Sequence, residues 1–296
     1  MKTCVIFNPA ARGGKARHFR DHLAGLSAQC ALKPTYAAGA GRALAAEAVR
    51  EGFELIVAAG GDGTLNEVLN GIGDEPAGLA QTRLGVLPLG TVNVFARELN
   101  LPLRFQTAWQ VIERARETVI DLPEAEFTLN GQVHRRFFAQ MAGAGWDSRA
   151  IELVDWRHKK KFGALAYVIA GFKALRGPLP QIVVTNGQET LAGELVLIGN
   201  GRFYGGPFNI FPEADLRDGL LEVSVFPKAN LETLARYGLG LLAARGLETA
   251  RVTRLKGGRI SLYSAMPASF HVEGENVGHL PVTFTVRRQT LRVIVP

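Results

Sequence analysis

The chain has 296 residues, 47% of them apolar and 21% charged, with a formal net charge of +7. That length is enough for two domains with cores of their own, and no apolar run approaches the roughly 20 residues that cross a bilayer. The positive balance suits nucleic acid, anionic lipid or phosphate-bearing ligands and does not choose among them.

The N-terminus leads straight into a strand-like run with no signal-peptide pattern, and the two cysteines, Cys4 and Cys30, stand in no metal-ligand spacing. Both features predict a soluble protein of a reducing, cytoplasmic compartment. Residues 4–7 read as a short buried strand that Pro9 ends. Gly13-Gly14 then permits a turn into a helix over 16–26. Arg12 and Lys15 flank those glycines and offer a basic wall to a polyphosphate, although any surface loop can carry two basic residues. Thr35 ends a second strand-like run, before a helix over 41–50.

Residues 55–59, Leu-Ile-Val-Ala-Ala, run into Gly60-Gly61-Asp62-Gly63-Thr64-Leu65-Asn66-Glu67. This pattern predicts a buried strand, a glycine-rich turn and the start of a helix. The glycines permit positive φ and close backbone approach to a ligand. Successive N–H groups in such a turn can bind phosphate oxygens. Asp62 would repel phosphate there unless it accepts hydrogen bonds, orients a basic group or meets a cation. The loop is neither the dinucleotide G-x-G-x-x-G nor the Walker loop. A fourth strand over 84–87 leads to Pro88-Leu89-Gly90-Thr91-Val92-Asn93-Val94-Phe95-Ala96-Arg97. The alternation predicts a parallel, helix-covered α/β sheet, with ligands at the carboxyl ends of its strands. The segments at Asn8, Thr35, Gly60 and Gly90 all begin at such ends.

After a helix over 105–117 the texture changes to short strand-like runs, with hairpin signals at Asn130-Gly131 and Asn186-Gly187. A boundary near residue 122 is expected, followed by a β-rich domain with two helical insertions. The first insertion carries Lys159-Lys160-Lys161 beside Trp156 and Phe162, which suits an anionic membrane surface or simply a solvated face. The second, over 231–245, has leucines at core-like helical spacing. Asp218-Gly219 is either an ordinary hairpin turn or a set of oxygens for a hard cation. Near the C-terminus, Glu273-Gly274-Glu275 is either an exposed turn or a reactive carboxylate pair, and His271 reads as a strand residue.

The loop at 60–67, the segment 88–97, the stretch from Asn200-Gly201 to Asp218-Gly219 and the Glu273-Gly274-Glu275 element occur in one order. In that order they resemble the signatures of the diacylglycerol kinase catalytic-domain family of lipid kinases, which includes sphingosine-kinase-like proteins. The resemblance implies a fold of class α/β + β. A parallel-sheet nucleotide-binding domain (1–121, joined by a returning strand in 288–296) would face a β-rich, sandwich-like lipid domain (122–287) across a cleft. It implies ATP-dependent, Mg²⁺-dependent phosphorylation of a lipid hydroxyl. Asn8, Arg12, Lys15, Thr35, Gly61, Asp62, Gly63, Thr64, Leu65, Asn66, Glu67 and Thr91 would bind nucleotide. Glu275 would be the proton acceptor, with Asp62 and Asp121 as further catalytic carboxylates. Asp215, Asp218 and Leu220 would hold a metal ion. The implied partner is a lipid at a membrane surface, contacted peripherally from the cytoplasmic side. Nucleic acid is not expected, and a homodimer is left open. Val94 and Glu273 depart from the family's two aspartates, and Ala11-Arg12 from its Ser-Gly. Two other readings therefore remain: a soluble-substrate kinase of the NAD-kinase type, and an inactive nucleotide- or lipid-binding relative.

Overall fold

The computed structural model describes residues 1–9, 19, 21–22, 25–26, 28–153, 171, 173–233 and 252–296. Strands β1 (Thr3–Phe7), β2 (Ala31–Pro34), β3 (Leu55–Gly60) and β4 (Arg83–Pro88) lie parallel in the order β2-β1-β3-β4. All six residues of β3 are buried, the mark of a central parallel strand covered on both faces. Helices α1 (Ala40–Arg50), α2 (Asp62–Asp74), α3 (Gly78–Gln81), α4 (Val94–Glu98) and α5 (Phe105–Arg114) complete this half. The last stops short of the expected residue 117, because Ala115 turns left-handed at φ 52° and Glu117 already begins a strand.

That strand, β5 (Glu117–Leu129), passes residue 122 without interruption, so no linker separates the two halves. It pairs with β6 (Gln132–Phe137) across the expected Asn130-Gly131 hairpin, where both turn residues have positive φ. Next come β7 (Met141–Gly145) and α6 (Trp146–Glu152). The Asn186-Gly187 turn joins β8 (Ile182–Thr185) to β9 (Thr190–Gly193), and β10 (Leu195–Gly199), β11 (Phe203–Tyr204) and β12 (Phe208–Asn209) follow. Then come β13 (Leu221–Phe226), β14 (Thr253–Gly257), β15 (Arg259–Ser264), β16 (Ser269–Val272), β17 (Glu275–His279) and β18 (Val282–Ile294).

Two large sheets and the small β11–β12 pair result among the described residues. One large sheet has the order β14-β13-β10-β7-β16-β17; the other runs from β2 through β4 to β18, β15, β8 and β9, with β5 paired to β18 and β6 to β5. In the second half the sheets enclose a core that includes Phe138, Phe270, Phe284, Val196 and Val223, a sandwich-like packing. A separate core fills the α/β half, and it includes Leu291, Val293 and Ile294 from the chain's end. The expected return of the last strand is therefore present: Val293 pairs in parallel with Leu84 of β4.

Asn70 of α2 joins the halves. Its side-chain amide donates to the Phe137 carbonyl at 2.9 Å and its oxygen accepts from the Phe137 amide at 2.8 Å. Replacing Asn70 by Ala leaves the buried Phe137 amide without a partner. It should destabilise the protein by about 1–3 kcal/mol in urea unfolding, and a change below about 0.5 kcal/mol would remove Asn70 from this role.

Candidate active site

The strand β3 delivers the glycine loop from the buried sheet to its edge. Gly60 can carry no Cβ, because the Thr64 hydroxyl occupies that space. Gly61, at φ −94° and ψ −171°, caps α2 in an extended conformation. None of Gly60, Gly61 and Gly63 adopts the positive φ that the sequence permits. Close approach is the reason for glycine here: an ideal Cβ on Gly90 would lie 2.5 Å from the Gly61 Cα. The turn after β3 and the turn after β4 thus touch backbone to backbone.

Asp62 uses that contact. Its Oδ1 accepts from the Val94 amide at 2.8 Å, at the start of α4. Desolvation by burial raises the Asp62 pKa, and the amides of Val94, Phe95 and Asn93 partly offset it. Hydrogen-bond donors therefore answer the repulsion that a carboxylate in a phosphate loop would suffer. Where the family has a second aspartate, Val94 turns a buried side chain inward.

Asn8 and Thr35 follow β1 and β2, and the Thr35 amide donates to the Phe7 carbonyl at 2.8 Å. Together with Gly61 and the exposed Thr91 they stand at the carboxyl ends of four adjacent parallel strands. Leu65, Asn66 and Glu67 are engaged in holding the fold. Leu65 is in the core, Asn66 is buried beside Asn70, and Glu67 accepts from the Gly39 and Gly41 amides, both at 2.8 Å, at the N-terminus of α1. Arg12, Lys15, Lys159, Lys160 and Lys161 lie outside the described residues, as does most of the leucine-rich stretch 231–245.

The opposite wall comes from the β16–β17 hairpin. Glu273 and Gly274, at φ 52° and 77°, form its two-residue turn. Glu273 Oε1 accepts from the Ala139 and Gln140 amides at 2.8 and 2.7 Å. Burial, and to a lesser degree the nearby Asp62 charge, push its pKa up to about 7. Glu275 is exposed, and its Oε1 lies 3.8 Å from the position of an ideal Cβ on Gly63. Residues far apart in the chain are thus neighbours in space. Arg136 of β6 joins them, its Nη2 3.2 Å from Glu275 Oε2. Behind the turn, the Gly274 amide donates to His271 Nδ1 at 3.3 Å, while His271 Nε2 meets Tyr204 and Asp147, both at 2.8 Å. Arg136 and Asp147 lie in no motif, and Tyr204, though inside the stretch that opens at Asn200-Gly201, has no signal of its own there.

The same architecture recurs in known proteins. A family model described as the diacylglycerol kinase catalytic domain matches residues 2–125. A second, described as the YegS C-terminal NAD kinase beta sandwich-like domain, matches residues 140–295, more than half of the chain. The diacylglycerol kinase of Staphylococcus saprophyticus is 33% identical over 257 residues, covering 85% of this chain and 80% of its own length. The chain belongs to the diacylglycerol kinase family. Another relative, the diacylglycerol kinase of Bacillus subtilis (strain 168), is 30% identical over 302 residues, covering 99% of this chain and 95% of that one. A crystal structure of a candidate diacylglycerol kinase from Bacillus anthracis str. Sterne superposes with a TM-score of 0.81 at 22% identity, over 100% of this chain and 95% of that one. That likeness is one of fold, and it agrees with the parallel-sheet and sandwich-like halves described above.

In this diacylglycerol kinase-family chain two expected site groups bond to the protein's own backbone. Asp121 is 1% exposed. Its Oδ2 accepts from the Gly219 amide at 2.6 Å and its Oδ1 from the Gln289 amide at 2.7 Å. Both oxygens accept from backbone amides, so Asp121, expected as a catalytic carboxylate, ties three segments of the chain together.

The turn expected to hold a metal ion, at Asp215, Asp218 and Leu220, has several of its oxygens in protein hydrogen bonds. Asp215 Oδ1 accepts from Arg217, Asp218 Oδ1 accepts from the Leu220 amide at 2.9 Å, and the Asp218 carbonyl accepts from Arg288 at 3.2 Å. The Arg288 guanidinium also fills the space a Gly219 side chain would take. Protein donors, one of them cationic, thus engage Asp215 Oδ1, Asp218 Oδ1 and the Asp218 carbonyl, three of the oxygens this turn offers. Among the described residues no cluster of three or more acidic, His or Cys side chains is arranged to hold a metal.

EDTA and added Mg²⁺ should therefore each move the melting temperature of the apoprotein by less than about 1 °C. A rise of several degrees with Mg²⁺, abolished in Asp218→Asn, would contradict the assignment of this turn to Arg288. A pH dependence follows from Glu273. Its folded pKa is raised above the usual carboxylate value of 4.5, so its contribution to stability is whole below about pH 4.5 and lost as pH rises through about 7. Over that window the loss approaches about 3 kcal/mol for complete ionisation. Urea unfolding of Glu273→Gln should show a flatter pH profile than wild type between about pH 5 and 8. Parallel profiles would mean that Glu273 does not ionise in this window.

Proposed function

We propose that this protein is a lipid kinase that transfers the γ-phosphoryl group of ATP to the hydroxyl of a diacylglycerol-like or sphingoid-like lipid. The observation that carries the reading is the meeting of Glu275 with Gly63 across the two halves. Membership of the diacylglycerol kinase family supports a kinase; the lipid acceptor and ATP belong to the proposal. Residues 1–121 with 288–296 would hold the nucleotide, and residues 122–287 the lipid.

The amides of Gly61, Gly63 and Thr64, at the N-terminus of α2, take the phosphates. Asp62, held by the Val94 amide, keeps the second loop against the first. Glu275, open to solvent beside that loop, accepts the proton of the lipid hydroxyl as its oxygen attacks the γ-phosphorus. The bond to the bridging oxygen breaks and its electron pair leaves with ADP. Glu273, bonded to two amides, fixes the turn that presents Glu275. Mg²⁺ bound with ATP would supply neutralisation of part of the triphosphate charge. Transfer of this kind depends mainly on alignment and charge stabilisation. With no helix among the described residues long and apolar enough to cross a membrane, the lipid would be met peripherally, at the cytoplasmic face.

The test is transfer of labelled γ-phosphate to a panel of lipids in mixed micelles with Mg²⁺. Wild type should label one lipid class, and Glu275→Gln should lose about 10²–10⁴-fold in kcat. Full activity in Glu275→Gln would remove the proton acceptor from that residue. No labelled lipid despite ATP binding would favour a soluble acceptor or an inactive relative.

A further inference from the structure

Arg136 stands outside every motif of the chain, yet it lies at the centre of the cleft wall. Its side chain is 19% exposed and bonds Glu275, which in turn lies over Gly63. In the amide orientation that satisfies its other neighbours, Asn66 accepts a second bond from Arg136 Nη2 at 3.3 Å. The Nε donor is buried and has no hydrogen-bond partner. An arginine offers five N–H donors in a rigid fork matched to phosphate, and this one leaves part of the fork unused. Its charged surroundings are Glu275 on β17, Glu67 and Asp74 on α2, and Arg42 on α1. Asp74 is already paired with Arg42 at 2.6 Å, and both Glu67 oxygens are committed to amides. Glu275 is thus the only carboxylate Arg136 pairs with among the described residues, and it is the one assigned as proton acceptor.

We infer that Arg136 binds the γ-phosphoryl group and carries its charge during transfer, exchanging its bond to Glu275 for bonds to the phosphoryl oxygens. The inference rests on the proposed phosphoryl transfer at this cleft. Before nucleotide arrives, the ion pair neutralises Glu275 and keeps two charges of opposite sign satisfied. A γ-phosphate entering over Gly63 offers acceptors to more than one N–H of the fork, including the donor now unspent. As the guanidinium turns, Glu275 is released to take the hydroxyl proton. The new O–P bond forms, the old one breaks towards ADP, and Arg136 stays bonded to the equatorial oxygens throughout. A fixed cation where charge gathers is worth most in a site shielded from water.

The experiment separates this role from a structural one by comparing nucleotides with and without the γ-phosphate. Titration calorimetry with AMP-PNP and with ADP, both with Mg²⁺, is run on wild type, Arg136→Ala, Arg136→Lys and Arg135→Ala. Arg135 is the control, because it pairs with Glu126 at 3.0 Å, away from Glu275. Arg136→Ala should weaken AMP-PNP about 10-fold or more and leave ADP within about twofold. With the labelled lipid as acceptor, its kcat should fall on the order of 10²–10³-fold with little change in the lipid KM. Arg136→Lys, which keeps the charge and loses the fork, should recover AMP-PNP binding in part, and it replaces the Ala variant if that fails to fold. Equal weakening of ADP and AMP-PNP, no effect on either, or no nucleotide binding by wild type would overturn the inference. If wild type labels no lipid but the AMP-PNP effect is selective, the lipid-kinase reading fails while the γ-phosphate role of Arg136 stands.

Discussion

The arrangement of the molecule depends on one buried carboxylate, Asp121. Strands β5 and β18 pair along most of their length, Val282 to Arg287 with Phe127 to Leu122 in the sandwich half and Leu291 to Ile294 with Ile120 to Glu117 in the α/β half. Between these stretches β18 carries extra residues, and Asp121 lies opposite them. Its two oxygens accept from Gln289 in the irregular segment and from Gly219 in the neighbouring turn. A carboxyl group in the interior is tolerable only when its oxygens find donors, and here backbone amides supply them. The tie fixes the register on both sides of the break. It thereby places the β16–β17 hairpin where Glu275 reaches the Gly63 loop.

Around the cleft, three carboxylates are accommodated in three ways. Asp62 takes backbone amides of the adjoining loop, Glu273 takes the Ala139 and Gln140 amides, which only partly offset the burial that raises its pKa, and Glu275 takes a guanidinium. Only the last stands exposed at the rim with a partner that a phosphate can draw away. On the nucleotide side, the absence of an aspartate at Val94 leaves the loop contact intact, because that contact runs through the Val94 amide.

Much of this was legible from the chain. Apolar runs and glycines placed the four parallel strands and the loop after β3, since a fully buried strand and a close backbone crossing leave few residue choices. Asn130-Gly131 marked its hairpin because the turn demands left-handed backbone at both positions. The shared sheet was harder to read: β5 runs unbroken through residue 122, buried at four successive positions over 120–123 as it passes from one core to the other, and a single strand that serves two cores has no linker to mark it in the sequence. The backbone bonds of Asp121 and the Asp218 turn were not legible, because acids at loop ends look alike whether they face backbone amides or a ligand. Arg136 and the His271, Tyr204 and Asp147 cluster were invisible, since only the tertiary fold brings these distant residues together.

The measurement that bears most directly on the central claim is a crystal structure of the protein with AMP-PNP and Mg²⁺. The account predicts the triphosphate on the amides of Gly61 to Thr64, with the γ-phosphate between Gly63 and Glu275 and Arg136 turned towards it. A nucleotide bound elsewhere, or a γ-phosphate turned away from the β16–β17 hairpin, would contradict it.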